Sequence, residues 1–425
     1  MKTSTTLLIF AYAFCLTSQV YAVTIAGPAV ATSGATYTFT VAHSMAETPI
    51  IYTWQATDQT DVIHTDGEIS DSVSFTWNTP GIKELTVTAD NAEGTFSCIH
   101  NVDVRELQIS DIRQIDDRIE LTLSGTSSYS KYEILYRNGT DEWQIVSLPI
   151  RGEDGLTIWE DYQRTDSEID SYKAVTTDDI AIASFNIMRF TKKKSEEELE
   201  LMQILANIIS RFDIVTIQEI IDKSGNAVEN LKNMINDLGT NYDYIMGPPL
   251  GNTSYKEEYA YMYRTDTITV TKRYTFGDIP YNIFEREPFV AKFSANNGKF
   301  DFVLINIHTK PDEDEDKTAE EIASLLSVIE DARTEFADES DFIILGDLNA
   351  DCDYFDEYSL SSPLKDDEYN WLITNGMDTN LASSRCTYDR IIITSDSEED
   401  YAGYSSVFRF DQKFGLTYNE ATAQA

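Results

Sequence analysis

Five short stretches of this 425-residue chain carry side chains with chemistry to offer: Asn186, Gln218-Glu219, Glu257, His308 and Gly346-Asp347-Leu348-Asn349. Oxygen donors such as Asn186, Glu219, Asp347 and Asn349 suit a hard divalent ion that keeps some of its water, Mg²⁺ or Mn²⁺. His308 is the only histidine after His100, so it alone offers a general acid or base near neutral pH in the C-terminal half. A metal that neutralises charge beside an imidazole that moves a proton is equipment for phosphodiester hydrolysis. Singly, a Gly-Asp-x-Asn after a strand is most often a turn, and a lone histidine a structural residue. The set carries the signal.

Something must bring these residues together. Segments 180–187, 214–217, 302–307 and 342–345 read as buried strands. Ser195 with Glu198 forms a capping box ahead of an apolar-periodic helix, with Leu201, Ile204, Leu205, Ile208 and Ile209 as its buried stripe. Segments 226–238 and 318–336 read as two more amphipathic helices. Most of the chemical residues follow or end a strand, so an α/β sandwich over 180–425 gathers them at one sheet edge.

The preceding chain is of another kind. Residues 23–105 alternate β-branched and aromatic residues in short runs split by turn signals, which predicts an all-β sandwich. The Trp54 strand and the Asn78-Thr79-Pro80-Gly81 turn resemble a PKD or immunoglobulin-like module. Residues 106–179 repeat the theme in a spacing similar to a fibronectin type III module. Both read as spacer or adhesion modules, with protein or carbohydrate as the partners they would bind. His43, His64 and His100 are scattered through this region and read as structural or solvent-facing.

Composition narrows the setting. With 73 acidic against 32 basic side chains the formal charge is −41, which excludes a polybasic nucleic-acid coat and binding to an anionic membrane surface. It does not exclude nucleic acid as a substrate. A hydrophobic content of 42% is too high for a disordered chain. Residues 1–22 run from Lys2 through an apolar stretch to Val20-Tyr21-Ala22 and read as a signal peptide, giving a secreted or lumenal protein with no stable membrane insertion. Its removal takes Cys15 and leaves Cys98, Cys352 and Cys386, enough for one internal bridge, expected between Cys352 and Cys386. Asn138 and Asn252 open glycosylation sequons. The acidic run 312–316 fails as a calcium-binding hand because Lys317 stands where glycine is required, so it reads as a solvated loop.

From about residue 180 onward the chain resembles deoxyribonuclease I of the endonuclease/exonuclease/phosphatase superfamily. The marks are Ser184-Phe185-Asn186-Ile187, Gln218-Glu219, the stretch from Pro249 to Glu257, Arg286-Glu287-Pro288, His308, the run from Gly346 to Cys352, and Cys386-Thr387-Tyr388-Asp389-Arg390. The resemblance implies a four-layer sandwich, the Cys352–Cys386 bridge, and a set of roles. Asn186 and Glu219 would hold the metal, and Glu257 would orient His308. Asp347 and Asn349 would contact the phosphate or a second metal. Tyr255 and Arg286 would touch DNA, and Asp389 would orient a second catalytic histidine.

The departures are specific. No Ser-Asp-His matching the family's second histidine is present, so the domain is expected to lack its C-terminal strand and to be impaired. Ile221 and Glu258 stand where the family carries minor-groove arginines, which puts duplex binding in doubt. A calcium loop is partly kept, with Asp378 present but Asn380 and Ala382 in place of threonines, so Ca²⁺ is a second candidate ion.

The expectation is therefore a secreted, Mg²⁺- or Mn²⁺-dependent endonuclease that hydrolyses DNA to 5′-phosphorylated fragments, behind two β-sandwich modules. One alternative is a phosphodiesterase or phosphatase of the same superfamily acting on a lipid or inositol headgroup. Another is a non-catalytic secreted binding protein.

Overall fold

The computed structural model describes residues 23–43, 48–92, 94–116, 118–162, 171–277, 281–311, 316–359, 362–382 and 384–416. The segment read as a signal peptide lies outside them, as do residues 312–315 of the acidic run. The chain divides into two compact units between Asp178 and Asp179.

The N-terminal unit is built of strands around two cores. In the first, a three-stranded and a five-stranded sheet pack face to face over Tyr37, Phe39, Tyr52, Trp54, Trp77, Leu85 and Val87. The strict in–out alternation along Gly94–Arg105 is what a strand with one buried face requires. The second core is smaller: Ile119, Leu121, Leu123, Tyr132, Ile134 and Tyr172. Buried hydroxyls stitch the two together: Thr32 Oγ1 lies 2.6 Å from the Tyr132 hydroxyl, and the Tyr37 hydroxyl 2.7 Å from Ser130 Oγ. His64 sits 2.8 Å from Asp71, and His100 2.9 Å from the Pro28 carbonyl, so both have structural partners.

In the C-terminal unit, β1 (Ile182–Phe190), β2 (Ile214–Ile220), β3 (Tyr242–Met246) and β4 (Glu258–Arg264) form a sheet in the order β1-β2-β4-β3. A second sheet takes the order β5-β6-β7-β8-β10-β9, from β5 (Ile268–Thr275), β6 (Phe289–Ala295), β7 (Asp301–His308), β8 (Phe342–Asp347), β9 (Tyr369–Trp371) and β10 (Asp389–Thr394). Among the described residues no strand lies beyond β1. Apolar residues of both sheets interdigitate between them, among them Ile214, Tyr259, Tyr261, Phe289, Phe293, Leu304 and Leu345. The other face of the larger sheet packs on α4 (Asp316–Glu335) through Val303, Ile305, Ile322, Leu325 and Ile329. The result is an α/β sandwich in which each strand buried on both faces is a nearly continuous apolar run.

The helix entry after β1 differs from the expected one. Ser195 is no cap: it is buried inside α1 (Lys192–Glu197), and its hydroxyl donates to the Lys192 carbonyl at 2.8 Å. Thr191 caps instead, accepting from the Lys194 amide, and a second helix, α2 (Leu199–Ile209), follows Glu198. The Thr191 position wins because its extended backbone leaves the side-chain oxygen facing the free amides of the first turn. The expected stripe is otherwise buried, with Met202 and Ala206 added and Ile204 at its half-exposed margin. α3 (Asn226–Asp237) buries Val228, Leu231 and Ile235.

Candidate active site

The candidate residues converge from both sheets. β1 and β2 pair in parallel, with Asn186 opposite Gln218, and the register then shifts before Phe190 meets Ile220. In that bulge Arg189 and Glu219 take left-handed backbone angles, φ 55° and 59°. Bulges of this kind re-aim a side chain, and strained non-glycine residues cluster at working sites. Here the Glu219 carboxylate is turned back over β1: Asn186 Nδ2 donates to Oε1 and the Arg189 amide to Oε2, both at 3.0 Å.

The second sheet contributes through one glycine. Gly346 pairs with Ile307 at φ 149°, and a Cβ there would stand 1.8 Å from the Ile307 carbonyl oxygen. Only glycine lets β8 run so close to β7. The next residues in register are His308 and Asp347, whose Nε2 and Oδ2 lie 3.8 Å apart. Asp347 Oδ2 also accepts from Asn186 Nδ2 at 3.0 Å, while Oδ1 accepts from the Asn349 amide at 3.0 Å.

Glu257, just ahead of β4, reaches across to His308: Oε2 lies 2.9 Å from Nδ1. Both are almost buried, at 3% and 6% exposure. Burial pushes the Glu257 carboxyl up, but the hydrogen bond and charge of His308, with Arg286 and the Tyr255 hydroxyl, outweigh it and hold the carboxyl below its ordinary value. With Nδ1 committed to the carboxylate, Nε2 faces Asp347. Asp389 pairs with Asp347 across β8 and β10. Burial of its carboxyl, and then the Asp347 charge, raise it well above the carboxylate range.

Arg286, expected to face substrate, is placed otherwise. It is 7% exposed, and its guanidinium donates to Glu257 Oε1 at 3.1 Å and to the His308 and Thr309 carbonyls at 2.9 Å each. Asn349 is also turned inward, its amide donating to the Thr309 carbonyl at 2.9 Å from a backbone at φ 45°. Tyr255 lies at the rim, 43% exposed. Gln218 is buried and donates to Asn306 Oδ1 at 2.7 Å, tying the two sheets together beneath the site. Cys352 and Cys386 are bonded, closing a 34-residue separation. Asn138 and Asn252 are exposed. Asp378 of the partial calcium loop stands 4.0 Å from Arg409, so a guanidinium already faces that carboxylate.

Two supporting residues were given no role in the sequence reading. Glu321 on α4 is fully buried and accepts from the Glu285 and Lys310 amides at 2.8 and 3.0 Å, bracing the loops beside Arg286 and His308. Its signal was a carboxylate in the apolar stripe with Thr318, Ile322 and Leu325. Arg390, also fully buried, binds Glu357 at 2.8 Å and the Ala350 carbonyl at 2.7 Å, anchoring the loop after Asn349. Nothing local distinguishes it from a surface arginine.

A cation fits this donor set. Asn186 Oδ1 is buried without a hydrogen-bond partner, and the Glu219 and Asp347 carboxylates both lie on the same side chain's amide. An unpaired amide oxygen on the side chain whose nitrogen meets two carboxylates is an incomplete set of hard oxygen ligands.

An α/β sandwich that joins such a donor set to a carboxylate-held imidazole defines a phosphodiester hydrolase. Residues 183–406 match the Endonuclease/Exonuclease/phosphatase family. The chain is 35% identical to Deoxyribonuclease-1-like 1 of Cricetulus griseus over 251 residues, covering 58% of this chain and 80% of that protein. It is 33% identical to Deoxyribonuclease-1 of Sus scrofa, over 58% of this chain and 87% of that protein. A solved endonuclease/exonuclease/phosphatase family protein from Bacteroides thetaiotaomicron aligns with 17% identity and a TM-score of 0.38, over 51% of this chain and 80% of that one. The chain belongs to the Endonuclease/Exonuclease/phosphatase family and, within it, to the deoxyribonuclease I-like nucleases. No helix among the described residues is long and apolar enough to cross a membrane.

Proposed function

We propose that this protein is a secreted, divalent-metal-dependent endonuclease that hydrolyses DNA to 5′-phosphorylated fragments. The observation that carries the reading is the meeting of the Glu257–His308 pair with the orphaned Asn186 oxygen at one end of the two sheets. Asn186 and Glu219, with Asp347, would hold Mg²⁺ or Mn²⁺, which when bound supplies positive charge for the phosphate oxygens. Glu257 fixes the His308 ring so that Nε2 carries the mobile proton, and Arg286 holds Glu257 ionised. Asp347 and Asn349 orient the phosphate side of the site, and burial of Glu257 and His308 keeps water from competing for their hydrogen bond. The Asp389 carboxyl, raised above its ordinary value by burial and then by the Asp347 charge, lies opposite Asp347 across the strand pair. In this reading Tyr255 is the residue left open to substrate, and Arg286 is a positioning residue.

The N-terminal modules act as PKD/immunoglobulin-like and fibronectin type III-like adhesion elements, and residues 1–22 as the export signal. The test is a side-by-side assay of the purified protein on duplex DNA and on sphingomyelin, with and without chelator. Chelator-sensitive cleavage of DNA alone is the expected result; headgroup release without DNA cleavage would refute the reading.

A further inference from the structure

The loop between β3 and β4 carries a sequon that the catalytic reading leaves unused, Asn252-Thr253-Ser254. Its neck is closed. The backbone groups of Leu250 and Glu257 bond each other at 2.7 and 3.0 Å, and the Lys256 ammonium donates to the Gly251 carbonyl. Gly251 turns the chain at φ 123°, where a Cβ would stand 3.0 Å from the Tyr255 carbonyl oxygen. Residues 252–255 project from this neck, and all of them are exposed. An asparagine presented in this way is an acceptor for N-linked sugar, a bulky surface group.

The contacts of the loop fix where a sugar on Asn252 would stand. The Asn252 amide donates to Glu285 Oε1 at 3.0 Å, and Glu285 Oε2 lies 4.0 Å from the Lys310 ammonium, two residues past His308. The Glu285 amide is held by Glu321, and the next residue, Arg286, touches both Glu257 and the His308 carbonyl. Asn252 is thus pinned to the segment that carries Arg286, on the loop that carries Tyr255 and Glu257. Its side-chain nitrogen donates only at long range, 3.4 Å to the Phe284 carbonyl and 3.5 Å to Glu285 Oε2. A glycosylated amide keeps one N–H, so one of these contacts survives attachment.

Resting on the nuclease and secretion readings, we infer that Asn252 carries an N-linked glycan that screens the site, hindering stiff duplex DNA and admitting single strands. In the transfer, Nδ2 attacks the anomeric carbon of a lipid-diphosphate-linked oligosaccharide. The C–N bond forms as the C–O bond to the diphosphate breaks. The lipid diphosphate leaves with that electron pair, and Nδ2 gives up one proton. A duplex is stiff over roughly 150 base pairs and cannot bend round an obstacle at the rim, whereas a single strand can. The glycan acts on substrate choice and leaves the Glu257–His308 pair as it is.

The test uses full-length protein secreted from a eukaryotic cell line, with peptide mass spectrometry to locate sugar on Asn252. Ser254→Ala removes the sequon and keeps Asn252 with its contacts. It raises kcat/KM on duplex DNA about tenfold, within the range over which misplaced substrate is felt. The gain on single-stranded DNA is smaller, and bis(p-nitrophenyl) phosphate, too small to meet the glycan, is cleaved at an unchanged rate. Trimming unaltered protein to the first sugar with an endoglycosidase gives the same gain on duplex, an arm that stands even where the variant fails to fold. Thr140→Ala, which clears the Asn138 sequon in the N-terminal unit, leaves every rate as it was. An unoccupied Asn252, a duplex rate unmoved by Ser254→Ala or by trimming, or an equal gain on single strands or on the small diester would each overturn the glycan screen alone. No cleavage of DNA by any form of the protein would overturn the nuclease reading and the screen with it.

Discussion

The amide nitrogen of Asn186 donates to Asp347 Oδ2 at 3.0 Å, joining residues 161 positions apart and on different sheets. The same nitrogen donates to Glu219, so one side chain holds both carboxylates and leaves its oxygen free.

Removing the ion should therefore stop hydrolysis without unfolding the domain. Chelation is expected to abolish DNA cleavage while the thermal transition persists, and added Mg²⁺ to restore it. Glu219→Ala should lose at least ~10²-fold in kcat at saturating metal. Full activity in chelator, or in Glu219→Ala, would contradict the assigned ligands.

Glu257 and His308 should behave as one unit. His308→Ala is expected to cost ~10²–10⁴ in rate, the usual contribution of a positioned acid–base group. Glu257→Gln keeps the shape and loses the charge, so it should shift the pH profile as well as lower kcat. Groups that act through each other are non-additive, so the double variant should fall close to His308→Ala alone. Strictly multiplicative losses would show that the two residues work independently.

The Asp341 carboxyl, 8% exposed, is pushed up to about 6 by burial and by the neighbouring Glu339 and Asp400 charges, with Lys292 holding Glu339. A carboxyl raised in the folded state leaves folding unpenalised below its unfolded value near 4 and weakens it as pH rises through about 6. Asp341→Asn should thus raise stability by about 1–3 kcal/mol at pH 8 and by little at pH 4. Denaturant titration at the two pH values measures the difference, and an equal effect at both would rule out the titration.

The Cys352–Cys386 bridge begins three residues after Asn349 and ends three before Asp389. Closing a separation of 34 residues is worth about 2–4 kcal/mol in the chain-entropy account. Replacing both cysteines with serine should lower stability by that amount and reduce activity as well, because the loop carrying Asn349 loosens. A variant with wild-type kcat would confine the bridge to stability.

Much of this was legible from local pattern. Strands such as Asp301–His308 and Phe342–Asp347 are nearly continuous apolar runs that end on a chemical residue, and burial on both faces demands that composition. α4 shows its buried stripe in the spacing of Ile322, Leu325 and Ile329. The helix start was misread because Ser195-x-x-Glu198 and Thr191 both satisfy a short-range rule, and only the path of the chain leaving β1 chooses between them.

By itself the sequence determined which side chains are present and that they fall at strand ends, since side-chain type and periodicity are local properties. What each one does was decided only by tertiary structure. Arg286 reads as a cation for DNA and is instead spent on Glu257 and two carbonyls, because burial makes a guanidinium satisfy its donors within the fold. Gln218, next to Glu219 in the sequence, bridges the sheets to Asn306. Glu258, read only as a lost arginine, is nearly buried beside the site with one carboxyl oxygen unpaired. Partners in such contacts lie 22 to 161 residues apart, and no local pattern encodes which of two chemically able groups will meet.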